Sequence, residues 1–146
     1  MMHFEDFSVG WQVALGPIVV TRDAVLAFAQ DFDPQPFHLD DEAARTGPFG
    51  ALTASGWHTC GMIMRVVCDA FLNNAAGRGS PGVDRIQWKN PVFVGDILSG
   101  TFEVQQMRKS ASRPGIGILH YIAAVHDQHG TPKAEFQGPF FMQTRT

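Results

Sequence analysis

Residues 53–73 constrain the fold of this chain most, because they are apolar around most of a helical circumference. Apolar and small residues recur there at steps of three and four, and others widen the stripe: Ala54, Trp57, Cys60, Gly61, Ile63, Met64, Val66, Val67, Cys68, Ala70 and Phe71. A helix of this kind needs other structure around it. The overlapping residues 46–64 carry no formal charge but include glycine, proline and hydroxyl side chains, so we interpret them as buried in protein rather than in a membrane.

The chain after this helix changes to the period of two that is typical of strands. A Gly- and Pro-rich stretch is followed by four predicted strands at residues 83–88, 97–107, 115–125 and 134–144. An earlier strand at 13–20 and a short helix at 22–31 precede the long helix. The third of the four later strands is apolar on both faces, so it is central or lies at an interface. We therefore expect an α+β fold, with an antiparallel sheet wrapped around one long helix.

Composition limits the functional class. A chain of 146 residues with 45% hydrophobic residues suits one core, so we expect residues 1–146 to form a single domain. The formal net charge of −3 provides no field that would attract a polyanion, so nucleic acid is not an expected partner. Cys60 and Cys68 are too few for a disulfide framework, and the N-terminus lacks the pattern of a secretory signal. We expect a cytoplasmic protein without a membrane partner.

Residues 31–38, Asp-Phe-Asp-Pro-Gln-Pro-Phe-His, carry the groups best suited to acid–base chemistry. Asp33 and His38 are five residues apart, which in extended chain is roughly 16 Å. To act on one water molecule the chain must therefore double back between them. The two prolines and the aromatic residue between them suit a rigid turn of that kind.

Three segments in order carry a family resemblance: DPQPFH at residues 33–38, SGWHT at 55–59 and RIQWKNPVFVGD at 85–96. Together they make the chain, over about residues 4–145, resemble the MaoC-like acyl dehydratases, which are relatives of the (R)-specific enoyl-CoA hydratases. The resemblance implies a hotdog fold, usually dimeric, in which an antiparallel sheet curls around a central helix. It also implies catalysis on acyl thioesters of coenzyme A or acyl carrier protein.

Hydration of a 2-enoyl thioester needs a base for the water, an acid for the α carbon and a donor for the enolate oxygen. Asp33 is the candidate base and His38 the candidate acid. The family places its oxyanion donor at a glycine that opens the central helix, and Gly56 matches it. Free N–H groups and the positive end of the helix dipole meet there, and no Cβ blocks the substrate. This reaction requires no metal or redox cofactor.

The chain departs from the family pattern at three places. Many relatives read Gly-Asp-x-Asn-Pro-x-His, and an alignment on Asp-Phe-Asp-Pro would make Asp31 the catalytic acid. We prefer Asp33 because it keeps the five-residue spacing to His38. Ser55 stands where relatives often have histidine, and Met64 stands where some have serine. These changes affect substrate orientation more than reaction type.

Further candidates for substrate binding surround these motifs. Ser55 and His58 flank Gly56, although a serine at a helix start is also a common N-cap and the histidine could point elsewhere. Phe37 and Trp57, together with Trp88, could line an acyl tunnel or simply belong to the core.

Basic residues cluster between two predicted strands. Arg108 and Lys109, with Arg113, could bind the phosphates of coenzyme A, or form a solvated hairpin tip. A zinc site formed by His38, His58 and Cys60 is not expected, because the ligand spacing is irregular and a fourth ligand is missing.

Two rival functions remain open. A hotdog thioesterase would use a carboxylate on the central helix, where Asp69 is the only acid and lies far from Gly56. A non-catalytic subunit that binds acyl thioesters is the other rival. In each case we expect a homodimer or a dimer of dimers, because a curled sheet has open edges and the two-faced apolar strand needs cover.

Overall fold

The computed structural model describes residues 1–146. The first half holds one strand and the helices, in this order: a 3₁₀ turn at Phe4–Asp6, β1 (Gln12–Val19), α1 (Arg22–Phe32), a 3₁₀ turn at Pro36–His38, α2 (Asp41–Arg45), α3 (Gly56–Ala70) and a 3₁₀ turn at Leu72–Asn74. The second half holds the remaining strands: β2 (Arg85–Trp88), β3 (Ile97–Lys109), β4 (Ile116–His126) and β5 (Pro132–Gln143).

The five strands form one antiparallel sheet in the order β1-β3-β4-β5-β2, and α3 packs against it. The expected α+β architecture, the hotdog fold, is confirmed. The strand that is apolar on both faces, β4, occupies the centre of the sheet, as its sequence indicates. β1 and β2 form the two edges. No helix of the structure combines the length and the apolar character needed to cross a bilayer.

The central helix is shorter than its apolar pattern predicts. It begins at Gly56 rather than at residue 53, because Thr53 forms an antiparallel bridge with Phe93 and the Ala54 N–H donates to the Val92 carbonyl. The helix ends at Ala70, and a 3₁₀ turn follows it.

The apolar stripe of α3 divides into two faces. The face toward the sheet is buried and consists of Thr59, Met62, Ile63, Val66 and Val67. The second face consists of Trp57, Cys60, Gly61, Met64 and Cys68, which are half-buried or exposed and line a cavity of about 700 Å³. Both cysteines are half-buried free thiols on this second face, and Cys60 packs against the core.

Phe102 lies at the centre of the core and is completely buried. Its ring stacks on Tyr121 with centroids 4.9 Å apart and on Phe140 at 6.0 Å, and Phe71 of the α3 end contacts it at 4.8 Å. The same residue therefore joins three strands to the central helix.

Phe102→Ala should lower the free energy of unfolding by about 3–5 kcal/mol, because it removes a buried ring and leaves a cavity among three others. Urea denaturation followed by circular dichroism measures the change. The matched control is Phe32→Ala, because Phe32 is 74% exposed, and this substitution should change the stability by about 0.5 kcal/mol or less. Equal losses in the two variants would contradict the assignment of Phe102 to the centre of the core.

Candidate active site

The chain reverses direction between Asp33 and His38. Asp33 is the C-cap residue of α1, and its N–H donates to the Ala29 carbonyl. Pro34 cannot continue the helix, and Pro36 opens the 3₁₀ turn that ends at His38. This reversal places Asp33 Oδ2 3.5 Å from His38 Nε2. Asp31, the alternative acid, lies exposed on α1 and does not line the cavity around His38.

The orientation of the His38 ring follows from one hydrogen bond. The ring is 5% exposed, and Nδ1 lies 2.7 Å from the Thr53 carbonyl oxygen. Because a carbonyl only accepts, Nδ1 carries a proton and Nε2 faces Asp33. Two acceptors would face each other if the imidazole were neutral, so the pair is satisfied either by an imidazolium or by a water molecule that donates to both.

The Asp33 carboxyl is held in its ionised form. Burial raises its pKa, but the hydrogen bond from Gln35, the neighbouring Ser55 hydroxyl and the charge of His38 together lower it, so the pKa lies below the usual value of an aspartate. The Gln35 amide donates to Oδ1 at 2.7 Å, which leaves Oδ2 for His38. Sequence reasoning missed Gln35, although it occupies the place of the asparagine in the family pattern Asp-x-Asn-Pro-x-His.

The start of α3 presents backbone donors beside this pair. Ser55 is the N-cap residue, but its side chain does not cap the helix, so the first N–H groups, beginning at Gly56, lack an intrahelical partner. The Trp88 indole covers the Gly56 Cα and donates from Nε1 to the Gly56 carbonyl at 3.0 Å. A Cβ on Gly56 would lie 2.5 Å from the indole ring. Glycine is therefore required here by Trp88, a contact that the sequence did not reveal.

A cavity of about 500 Å³ joins these elements. Its walls include most of the predicted residues, namely Asp33, Phe37, His38, Gly56, Trp57 and Trp88. Trp57 also lines the cavity of about 700 Å³ beside α3, so the two spaces share this side chain. The arrangement brings a carboxylate, an imidazole and free backbone donors to one cavity, which suits general acid–base catalysis on a substrate with a carbonyl group.

A family model described as "MaoC like domain" matches residues 8–124. The chain belongs to this family. A 3-hydroxybutyryl-CoA dehydratase of Methylorubrum extorquens is 30% identical over 109 residues, which cover 73% of this chain and 66% of that protein. An (R)-specific enoyl-CoA hydratase of Rhodospirillum rubrum is 27% identical over 103 residues, which cover 70% of this chain and 69% of the relative.

Solved structures of the MaoC-like family share the fold over the whole chain. A crystal structure of a MaoC-like dehydratase from Rhodospirillum rubrum is 35% identical, superposes with a TM-score of 0.91 and covers 100% of this chain and 99% of its own. The fold is also that of the HadBC complex from Mycobacterium tuberculosis, which is 19% identical with a TM-score of 0.72 and covers 91% of this chain and 96% of its own.

Two predicted residues of the MaoC-like site lie behind the cavity rather than in its wall. Ser55 is 1% exposed, and its hydroxyl oxygen is buried without a hydrogen-bond partner. His58 stacks on Phe28 with ring centroids 4.9 Å apart, and burial lowers its pKa. Its Nδ1 is buried without a partner.

The predicted basic cluster lies elsewhere on the MaoC-like domain. Arg108 and Lys109 belong to the end of β3 rather than to the loop after it, and both are exposed. Neither lines the cavity that contains Asp33 and His38. Arg113 does lie in the loop, where its guanidinium covers the Phe141 ring at 5.1 Å.

Gln35→Ala should raise the pKa of Asp33, because it removes the hydrogen bond that favours the carboxylate. A carboxyl ¹³C titration by NMR measures the change, and the acidic limb of any pH–activity profile should move to higher pH with it. Gln12→Ala is the matched control, since Gln12 lies on β1, far from Asp33, and its side-chain amide also donates to a carboxylate, that of Glu103. An unchanged Asp33 titration in Gln35→Ala would show that the amide does not set its ionisation.

Proposed function

We propose that this chain adds water to a 2-enoyl thioester, or removes it from the (R)-3-hydroxyacyl thioester, as a hydratase or dehydratase. The observation that carries the proposal is the 3.5 Å approach of Asp33 Oδ2 to His38 Nε2 inside the cavity at the start of α3. The names of the M. extorquens and R. rubrum relatives support the same reaction class.

In the proposed mechanism a water molecule is held by Asp33 and His38. The Asp33 carboxylate takes a proton from this water while its oxygen bonds to the β carbon of the substrate. The π electrons move toward the thioester carbonyl, and the Gly56 N–H donates to the oxygen that becomes negative. The enolate then takes a proton at the α carbon from His38 Nε2.

After this step Asp33 is protonated and His38 is neutral. The proton returns from Asp33 to His38 across the pair, which restores the starting state. The lowered pKa of Asp33 means that the group is ionised at neutral pH, as a base must be before the water binds, although it also makes the carboxylate a weaker base. Every proton in the cycle is supplied by water or by these two residues, so we propose no metal or redox cofactor.

Asp33→Asn and His38→Gln should each lower kcat for hydration of a short 2-enoyl-CoA by about 10²–10⁴-fold, because each removes one proton-transfer group. The loss of ultraviolet absorbance of the conjugated thioester measures the rate. Asp31→Asn is the matched control and should keep near-native activity. Near-native activity of Asp33→Asn or His38→Gln, with normal folding, would contradict the assigned roles.

A free-thiol assay separates the rival functions. A thioesterase would release free thiol from a saturated acyl-CoA, whereas a hydratase would release none. The structure gives this reading little support, since Asp69 is exposed and its carboxylate binds Arg65 at 2.9 Å. Tight binding of acyl-CoA without turnover across chain lengths would instead favour a binding subunit.

The substrate is proposed only by class, as an acyl thioester of coenzyme A or acyl carrier protein. Phe37 and Trp57 would contact its acyl part, since both line the cavity. Ser55 and His58 would act from behind the wall, and Arg108 and Lys109 would meet phosphates only outside this cavity. The free thiols Cys60 and Cys68 support a cytoplasmic location.

We further propose that two copies associate along β2. This edge strand is short and ends at Trp88, which is 49% exposed, and the apolar cavity beside α3 adjoins it. A second copy would cover both the unpaired strand edge and the exposed apolar side chains.

Light scattering at micromolar concentration should therefore give twice the mass of one chain, or four times for a dimer of dimers. Ile86→Lys, which places a charge at this edge among apolar residues, should shift the protein toward monomer. A monomeric native protein would contradict the proposal.

A further inference from the structure

Lys133, at the start of β5, is a buried lysine that the proposed mechanism does not use. Only 4% of the residue is exposed, and it lines the cavity of about 500 Å³ that contains Asp33 and His38. Lysine is rarely buried to this extent unless it is paired. Its partners therefore indicate what it does.

The ammonium group holds the loop before β3. Nζ donates to the Pro91 carbonyl at 2.6 Å and lies 3.2 Å from Asp96 Oδ2 and 3.6 Å from Asp127 Oδ2. It also lies 5.1 Å from the centre of the Phe93 ring. The same Asp96 oxygen accepts from the Phe93 N–H at 2.9 Å, so residues 91–93 are held at both ends by this cluster.

The backbone of Lys133 binds the same loop. Its carbonyl accepts from the N–H groups of Lys89 and Asn90 at 2.9 and 3.2 Å. Residues 89–93 therefore have both main-chain and side-chain bonds to the first residues of β5. Residues 89–92 form one wall of the cavity.

The wall is bonded in turn to the residue that orients His38. The Val92 carbonyl accepts from the Ala54 N–H at 2.9 Å, and Thr53 forms its bridge with Phe93. The Thr53 carbonyl is the acceptor for His38 Nδ1 at 2.7 Å. A path of three hydrogen bonds, joined by the intervening backbone at residues 91–92 and 53–54, therefore runs from the Lys133 ammonium to the imidazole.

We propose that Lys133 is a positioning residue that fixes the His38 ring through this wall. The inference rests on the proposed function, because it assigns Lys133 a part in the same acid–base step. A single ammonium donates to a carbonyl and to a carboxylate at once, which no apolar side chain of similar length can do. If the ammonium were removed, the Pro91 carbonyl and the Asp96 carboxylate would each lose a buried hydrogen-bond donor. The backbone around Pro91 would then move so that these groups could bind water.

Lys133→Met keeps the length of the side chain and removes the ammonium. We expect kcat for hydration of a short 2-enoyl-CoA to fall by about 10²-fold, as for a small misplacement of a catalytic group. KM should change by less than about threefold, since the substrate contacts remain.

The single variant also leaves two buried carboxylates without their cation, so a second variant separates positioning from stability. Lys133→Met combined with Asp127→Asn has the same net charge in the cluster as the native protein. Asparagine can still accept from the His129 and Thr131 N–H groups that Asp127 binds. The double variant should regain stability in thermal unfolding but keep the low kcat.

The Nδ1 proton of His38 gives a readout that is independent of activity. In the native protein the short bond to a buried carbonyl should give a downfield ¹H NMR resonance that His38→Gln removes. In the double variant this resonance should shift or broaden. Arg65→Met is the matched control, because it also removes the cation of an ion pair, but Arg65 binds Asp69 at 2.9 Å on the exposed side of α3 and lines neither cavity. It should leave both kcat and the resonance close to native.

Recovery of kcat together with stability in the double variant, or an unchanged His38 resonance, would overturn the proposal. An equal loss of kcat in Arg65→Met would also overturn it, since the effect would then follow the loss of any ion pair and not the bonds of Lys133 to the wall. If the native chain hydrates no enoyl thioester, the proposed function fails, while the His38 resonance still decides whether Lys133 positions the ring.

Discussion

The burial of one face of α3 against the curved sheet is the constraint on which the rest of the structure depends. Met62, Ile63, Val66 and Val67 pack against the inner face of the sheet, which fixes the axis of the helix and the place of its first turn. The chain on either side of the helix must then run along the rim of the sheet. The loop that carries Asp33 and His38, and the wall that contains Val92, meet at this rim. The geometry of the candidate site is therefore a result of how the helix is packed.

Within the site, each reactive group is held by a neighbour that leaves one of its atoms free. Gln35 binds Oδ1 of Asp33, so Oδ2 remains available. The Thr53 carbonyl binds Nδ1 of His38, so Nε2 remains available. The division matters because proton transfer requires donors and acceptors that are not already occupied.

The sequence predicted the elements well because their signals are local. The helical period, the alternation in the strands and the effect of Pro34 and Pro36 each depend only on residues a few positions away in the sequence. The early start assigned to α3 was wrong because the pairing of Thr53 with Phe93 joins residues 40 positions apart and outweighs the local pattern. Trp88 on Gly56 and Lys133 on Pro91 were missed for the same reason. The role of Gln35 could have been predicted, since it lies inside the motif and carries a side-chain amide like the asparagine at the same place in the family pattern.

Trp88 joins two parts of the molecule that usually serve different purposes. It is the last residue of an edge strand, and its indole N–H also donates to the carbonyl of Gly56, the first residue of the central helix. Any chain that pairs with this edge strand would change the position of the indole, and with it the position of Gly56, which lines the cavity. Linkage is reciprocal, so a molecule held at that amide would in turn alter how firmly the neighbour is bound. Association of two chains and binding of a ligand would then share one coupling free energy, carried by a single indole.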